Sequence, residues 1–305
     1  MSNQTQIGFI GLGKMGWPMA KRLVEAGYSL QVLEADQGRC AEFVAQVGGV
    51  ACTSAKTLAQ ATNVIITILP TSAIVQSVLE GPDGVLAGLQ PNTVLVEMSS
   101  GVPSITRHLA QLVSQAGGHL VDAPVSGGVP RAKTGELSIM FGGSNDQLST
   151  LTPILQCMGQ AIEPTGDVGS AHAMKALNNL VSAGGFLIGV EALMIGKRFG
   201  LSPEKMVDVL NASTGMNNST QKKFKQFVLS GQFNSGFGLD LMVKDLSIAL
   251  GIAHETATPT PFSALCRELW AASAQMLGPN QDHTAVAKLT ERLAGDSLSR
   301  SEGKK

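Results

Sequence analysis

Ile7-Gly8-Phe9-Ile10-Gly11-Leu12-Gly13-Lys14-Met15-Gly16-Trp17-Pro18-Met19-Ala20 decides how this chain is read. An apolar run leads into three glycines spaced GxGxxG, and an amphipathic helical pattern starts at once. A dinucleotide's pyrophosphate requires this geometry. Gly11 permits a tight turn, and Gly13 lets the backbone approach the phosphates. Gly16 lets the next helix pack against the strand with its positive N-terminal end toward the anion. Leu12 and Met15 line the same loop. A glycine loop alone is a weak signal, so its surroundings matter. Ser29-Leu30-Gln31-Val32-Leu33 reads as a second strand that ends in Glu34, 23 residues beyond Gly11, near the roughly 20-residue spacing of a ribose-binding acid. A carboxylate there accepts hydrogen bonds from the ribose 2′- and 3′-hydroxyls and repels a 2′-phosphate, which favours NAD over NADP. Arg39 points the other way, since a cation five residues further on can reach a 2′-phosphate.

Outward from this loop, short apolar runs alternate with helical patterns up to about residue 164. Strands are expected at 6–10, 29–33, 63–69, 93–97, 119–122, 137–142 and 161–164, with helices notably at 17–26, 103–116 and 145–157. This alternation predicts an α/β fold, a doubly wound and mostly parallel sheet of Rossmann type. One of the last two strands is expected to run antiparallel at an edge. Beyond Pro164 the pattern turns all-helical. A long helix over 168–199 presents Val168, Ala171, Leu177, Leu180, Val181, Leu187, Val190 and Leu193 as an apolar face. Further helices follow near 203–211, 217–229, 240–257, 262–277 and 283–294. The expected division is a dinucleotide-binding domain at 1–164, a helical substrate and oligomerisation domain at 165–295, and a flexible tail at 296–305.

Composition narrows the class. The 305 residues are 44% hydrophobic and 15% charged with a net charge of −1, and no run of like charge is long enough to track a nucleic acid. Aromatic residues make up only 4% of the chain, which also disfavours base stacking. The start, Met1-Ser2-Asn3-Gln4-Thr5-Gln6, has neither the basic nor the apolar region of a signal peptide, and Gly303-Lys304-Lys305 reads as a frayed end. Residues 180–196 are very apolar, but Glu191 interrupts them, so a buried helix is expected and no membrane span. The four scattered cysteines and five histidines form no metal-binding spacing, and lone thiols suit a reducing, cytoplasmic compartment.

Several segments can carry chemistry. Leu69-Pro70-Thr71 and Met98-Ser99-Ser100-Gly101 end expected strands, where open parallel sheets bind ligands; Ser99 and Ser100 offer hydroxyls there or cap the helix at Pro103. Asp122-Ala123-Pro124-Val125-Ser126-Gly127-Gly128 exposes consecutive N–H groups, a nest suited to a carboxylate or simply a glycine-rich turn. Lys175 sits two turns into an apolar helix, with Asn178 and Asn179 three and four residues on. Such groups are expensive to bury without partners. Lys244, in Met242-Val243-Lys244-Asp245-Leu246, either closes over a cleft or lies on a solvated face.

Together these segments resemble the 3-hydroxyisobutyrate dehydrogenase family, the β-hydroxyacid dehydrogenases, over roughly residues 6–294. The likeness rests on GLGxMGxPMA at 11–20, DAPVSGG at 122–128, the Gly-Ser-x-x-x-x-Lys-x-x-Asn-Asn helix at 169–179 and Lys-Asp-Leu at 244–246. The resemblance implies a catalytic lysine at Lys175, a substrate-orienting Asn179 with Asn178 beside it, and substrate binding by Ser126, Gly127 and Gly128. It implies cofactor contacts at Leu69, Pro70, Ser100 and Lys244, and a helical domain that forms a homodimer or homotetramer interface. Departures are Ala171 where glycine is usual, Ser100 for threonine and Glu34 for aspartate; none removes a required functional group.

The reaction so implied is hydride transfer between a nicotinamide and a small β-hydroxy acid or semialdehyde, with Lys175 as acid–base. Reduction of 2-hydroxy-3-oxopropionate (tartronate semialdehyde) or another semialdehyde is the alternative within this class. A dinucleotide-binding module without catalysis is the alternative outside it, and the joint presence of Lys175, Ser126 and Asn179 argues against that. Specificity is expected to draw on Ser213–Thr220, an amide- and hydroxyl-rich stretch followed by Lys222 and Lys223. That stretch suits a substrate with extra oxygen or an extra anionic group, or is simply the capped start of a helix.

Overall fold

Each strand expected in the N-terminal half forms, and two short ones join them. The computed structural model describes residues 5–299. In chain order the first unit holds β1 (Gln6–Ile10), α1 (Gly16–Glu25), β2 (Ser29–Leu33), α2 (Gln37–Gln46), β3 (Val50–Ala51), α3 (Ala55–Gln60), β4 (Val64–Thr67) and α4 (Ser72–Glu80). It continues through α5 (Val85–Gly88), β5 (Val94–Glu97), α6 (Pro103–Gln115), β6 (His119–Asp122), β7 (Val125–Ser126), α7 (Gly128–Thr134), β8 (Leu137–Gly142), α8 (Asn145–Leu155) and β9 (Gly159–Gly166). The strands order as β3-β2-β1-β4-β5-β6-β8-β7, with β9 on β8. Strands β1 to β6 are parallel. Val64-Ile65-Ile66-Thr67 is buried at every residue, as a strand covered on both faces must be. β8 opposes β6 and β7, and β9, parallel to β8 and paired with no other named strand, runs antiparallel to β1–β6 at the edge, as expected of one of the last two strands. β8 itself is interior, between β9 and the β6/β7 side.

The chain order reverses at β1, which lies between β2 and β4. That switch point is where open α/β sheets bind ligands, beyond the carboxyl ends of the strands. Ile10, Thr67, Glu97 and Asp122 stand in register as successive neighbours across β1, β4, β5 and β6. The polar residues thus fall at the end where the loops gather.

The division between compact units falls at Lys175 and Ala176, inside α9 (Ser170–Phe199). The second unit adds α10 (Pro203–Asn211), α11 (Asn218–Lys222), a π-helical turn (Phe224–Leu229), α12 (Leu239–Glu255), α13 (Pro261–Leu277), a 3₁₀ turn (His283–Val286) and α14 (Ala287–Ala294). The helix expected at 217–229 therefore changes character at Lys223. Phe186, Phe224 and Trp270 centre this unit's core, with Phe186 ring centroids 5.3 Å from Phe224 and 6.0 Å from Trp270.

Two expectations about this half are corrected. Leu177 and Val181 do not lie on the buried face of α9. They are exposed, together with Ile188, Ile195 and Phe199, while Ala183, Phe186, Leu187, Val190 and Leu193 are buried. The helix carries two apolar stripes, and the more β-branched one faces outward. α9 has the length and composition of a membrane span, yet 56% of its most apolar window is buried inside the protein. The supposed flexible tail also begins too early. Leu298 is buried in the helical core, its N–H donates to Glu291 at 2.6 Å, and Lys197 pairs with Asp296 at 2.6 Å. Residues 300–305 and 1–4, on which the terminal expectations also fall, lie outside the described residues.

Candidate active site

The glycine loop meets the steric demands of a pyrophosphate. Gly11 takes φ +102°, and a Cβ there would come within 2.3 Å of the Ile68 carbonyl oxygen. At Gly16 a Cβ would fall 1.9 Å from the Gly11 carbonyl oxygen, so helix and loop touch backbone to backbone. Gly13 differs, since a Cβ there would meet nothing within 4 Å. Its open face leaves room for phosphate oxygens. No side chain caps the start of α1, which suits an N-terminus that receives an anion. Glu34 reaches back to this loop and accepts the Leu12 N–H at 2.6 Å and the Asp36 N–H at 3.3 Å. The residues present fit a dinucleotide. Arg39 lies with its guanidinium 6.0 Å from the Trp17 ring centroid.

Leu69 and Pro70 follow β4, and Ser100 follows β5, as expected for loops at the ligand end of the sheet. Ser99 has another duty: its hydroxyl accepts the Leu69 N–H at 2.8 Å and its own N–H donates to Glu97 at 2.8 Å. It ties the two loops together and does not cap α6, whose N-cap is Val102. Ser126 is half-buried in β7, and Gly127 and Gly128 adopt φ of +132° and +69°. Both are conformations that glycine adopts without strain and other residues rarely do, so the turn depends on its two glycines.

Sequence reasoning missed the polar knot at the start of α9. Glu97 and Asp122 are in-register neighbours, both buried, so their charges repel. His172 enters between them: its Nε2 is 3.0 Å from Glu97 and its Nδ1 3.9 Å from Asp122. Asp122 also accepts the N–H groups of Gly169 at 2.7 Å and His172 at 2.8 Å, satisfying orphan donors of the helix start. Thr106 Oγ1 donates to the Val102 carbonyl at 3.1 Å and lies 2.7 Å from His172 Nδ1. Nδ1 thus has an acceptor in the Thr106 hydroxyl, and Nε2 lies at ion-pair distance from the Glu97 carboxylate without a well-aligned hydrogen bond, an arrangement that suits an imidazolium. Burial alone would push His172 down, but Glu97 and then Asp122 outweigh it and raise the imidazole above its ordinary value. Burial pushes Glu97 up, yet the His172 charge and the Ser99 hydrogen bonds hold it below the usual carboxylate range. Asp122 is raised by burial, which His172 and the two amides only partly offset. The available signals were a histidine in an apolar helix three residues before Lys175 and an acid ending an apolar strand.

Lys175, one turn beyond His172, is buried at 8% exposure. Further along α9, Asn179 donates to Asp245 Oδ2 at 2.6 Å and accepts from Asn178 Nδ2 at 3.2 Å. Asp245 is buried, and its Oδ1 is 3.4 Å from the half-buried Lys244 ammonium. Lys244 thus reaches Asp245 and is not on a purely solvated face. Asp245, noticed only as Lys244's neighbour, fixes the Asn179 amide. The knot at His172 and this amide–carboxylate pair bracket Lys175 along a single helix.

A Rossmann sheet with a pyrophosphate-shaped loop, a carboxylate at the second strand's end and a buried lysine at the head of a long helix defines the class of nicotinamide-dependent oxidoreductases. Residues 6–166 match the NAD-binding domain of 6-phosphogluconate dehydrogenase, and residues 169–290 match the NAD-binding unit of NADP-dependent 3-hydroxyisobutyrate dehydrogenase. The chain is 38% identical to 2-(hydroxymethyl)glutarate dehydrogenase of Eubacterium barkeri over 98% of its length and 99% of that protein's. It is 34% identical to mitochondrial 3-hydroxyisobutyrate dehydrogenase of Mus musculus, covering 88% of this chain and 82% of that one. Mycobacterium tuberculosis 3-hydroxyisobutyrate dehydrogenase, solved with L-serine, superposes with a TM-score of 0.87 at 29% identity, covering 94% of this chain and 99% of that one. This chain belongs to the 3-hydroxyisobutyrate dehydrogenase family of β-hydroxyacid dehydrogenases.

Proposed function

We propose that the protein catalyses the reversible NAD(P)-dependent oxidation of a small β-hydroxy acid to its semialdehyde, with Lys175 as the acid–base group. One observation carries this reading. Lys175 is buried one turn beyond a helix start that Asp122 and the Glu97–His172 pair bond to the ligand-facing ends of β5 and β6. Bound NAD supplies a nicotinamide C4 that accepts the hydride. As the carbinol C–H bond breaks, the hydroxyl proton passes to the amine of Lys175; in reduction the ammonium returns it to the carbonyl oxygen. The Ser126 hydroxyl and the N–H groups of Gly127 and Gly128 hold the substrate carboxylate. Asn179, its amide fixed by Asp245, orients the hydroxyl or the lysine. Leu69, Pro70, Ser100 and Lys244 contact the cofactor, and Glu34, already on the glycine loop, disfavours a 2′-phosphate and selects NAD.

Assembly and location follow from the same reading. The exposed stripe of Leu177, Val181, Ile188, Ile195 and Phe199 supports a homodimer or homotetramer built on α9, since monomers seldom leave such a stripe in water. The four unpaired thiols support a reducing, cytoplasmic setting.

Mixing the protein with NAD or NADP and 3-hydroxyisobutyrate, glycerate, 4-hydroxybutyrate or serine should give reduced cofactor, faster with NAD. Removing a general acid–base group costs on the order of 10²–10⁴-fold. Lys175→Ala should lower kcat by that much while NADH still binds. Turnover within a few-fold of wild type would remove Lys175 from the chemistry.

A further inference from the structure

The loops after β4 and β5, at the ligand end of the sheet, are stitched to each other and to the start of α9. Ser99 Oγ accepts the Leu69 N–H at 2.8 Å, and Ser72 Oγ accepts the Val102 N–H at 2.8 Å, so the loops hold each other at two points. Leu69 in turn packs on the nucleotide loop. A Cβ at Gly11 would come within 3.0 Å of Leu69 Cδ2 and 2.3 Å of the Ile68 carbonyl oxygen. On its other side Ser99 meets a buried ion pair. Its N–H donates to Glu97 Oε1 at 2.8 Å, its hydroxyl helps to stabilise the same carboxylate, and Glu97 Oε2 lies 3.0 Å from His172 Nε2. Gly101 completes the contact, since a Cβ there would come within 2.7 Å of His172 Cε1 and 3.1 Å of Glu97 Oε2. The imidazole thus fills the space that a side chain at position 101 would need.

These contacts form one unbroken series, from His172 through Glu97, Ser99 and Leu69 to Gly11, within a single compact unit. Glu97, Ser99 and His172 are all buried. A buried ion pair adds little net stability, because desolvation offsets the attraction. Where hydrogen bonds extend it, such a pair fixes geometry instead. A hydroxyl has one proton to donate and lone pairs with which to accept. With its proton toward Glu97, Ser99 can only accept from Leu69, so the carboxylate sets the direction of that peptide. Neither Glu97 nor His172 has a step in the hydride transfer at Lys175. What they control is where the two loops lie.

We propose that Glu97 and His172 are positioning residues for the cofactor. They hold the Leu69 and Ser100 loops and, through Leu69, the nucleotide loop in the shape that receives NAD, and they act through the Ser99 hydroxyl. This rests on the NAD site described above, and the test separates the two. NADH affinity is measured by titration calorimetry for wild type, Ser99→Ala, His172→Gln and the double variant. Ser99→Ala should lower affinity about 3- to 10-fold, as the loss of one hydrogen bond implies, and should raise KM for NAD more than it lowers kcat. His172→Gln should lower affinity about tenfold. The double variant should stay within about twofold of the weaker single one, because both changes break the same series. Losses that multiply in the double variant overturn the proposal and leave the NAD site standing. So does a lowered Tm with NADH affinity within about twofold of wild type in Ser99→Ala, which assigns the series to stability alone. The Ser99→Ala titration decides the matter even if His172→Gln fails to fold. Wild type that binds no NADH overturns both.

Discussion

A single methyl group separates the two roles of glycine in the nucleotide loop. At Gly16 it would overlap the Gly11 carbonyl, while at Gly13 it would enter open space. Gly13→Ala should therefore fold with a Tm within about 2 °C of wild type, as a surface change does, but weaken NAD binding tenfold or more by titration calorimetry. Gly16→Ala should cost about 1–3 kcal/mol or more of stability, because backbone atoms cannot make room. Wild-type NAD affinity in Gly13→Ala would mean the pyrophosphate lies elsewhere. The loop's spacing was legible because each glycine answers a local backbone demand. The duties of Ser99 and Asp122 were not, because both depend on partners 30 and 47 residues away.

At the scale of elements, the start of α9 is the joint on which the site depends. His172 is raised, so its contribution to stability is fully present below about pH 6.5, the ordinary imidazole value, and is lost as pH rises through its folded value. Glu97 is lowered, so its contribution is present above about pH 4.3 and is lost as pH falls through its own folded value. Asp122, being raised, works against Glu97 in the acidic range. Thermal unfolding followed by circular dichroism should show Tm falling as pH rises above 6.5, with that slope flattened in Glu97→Gln. At pH 6 the same variant should lose about 3–5 kcal/mol, the cost of stranding one partner of a buried ion pair. A wild-type Tm that does not fall above pH 6.5 would show that His172 is neutral in the folded protein, and a slope that persists in Glu97→Gln would show that Glu97 does not hold its charge. The helix itself was legible from periodicity. Which of its two apolar stripes is buried was not, because Val181 and Phe186 are equally apolar and only the packing of α11 to α14 distinguishes them.

For the whole molecule, the outward stripe of α9 gives a direct test of assembly. Val181 and Ile195 are 77% and 70% exposed, and acids introduced there would strand charge in an apolar contact. Light scattering at micromolar concentration should find wild type as a dimer or larger, and Val181→Glu combined with Ile195→Glu shifted toward monomer. A monomeric wild type would assign that stripe another role. The tail shows the reverse error: its polar composition hid Leu298, whose burial is decided by the helices around it.

The sequence by itself determined the Rossmann unit, the change to an all-helical unit, the glycine loop and the lysine, because these follow from local periodicity, backbone sterics and short motif spacing. Only tertiary structure decided that His172 lies between Glu97 and Asp122 and that Asp245 holds Asn179. Those pairings join residues 50 to 75 positions apart. Charge and hydrogen bonding act through distance in space, on which separation along the chain is silent.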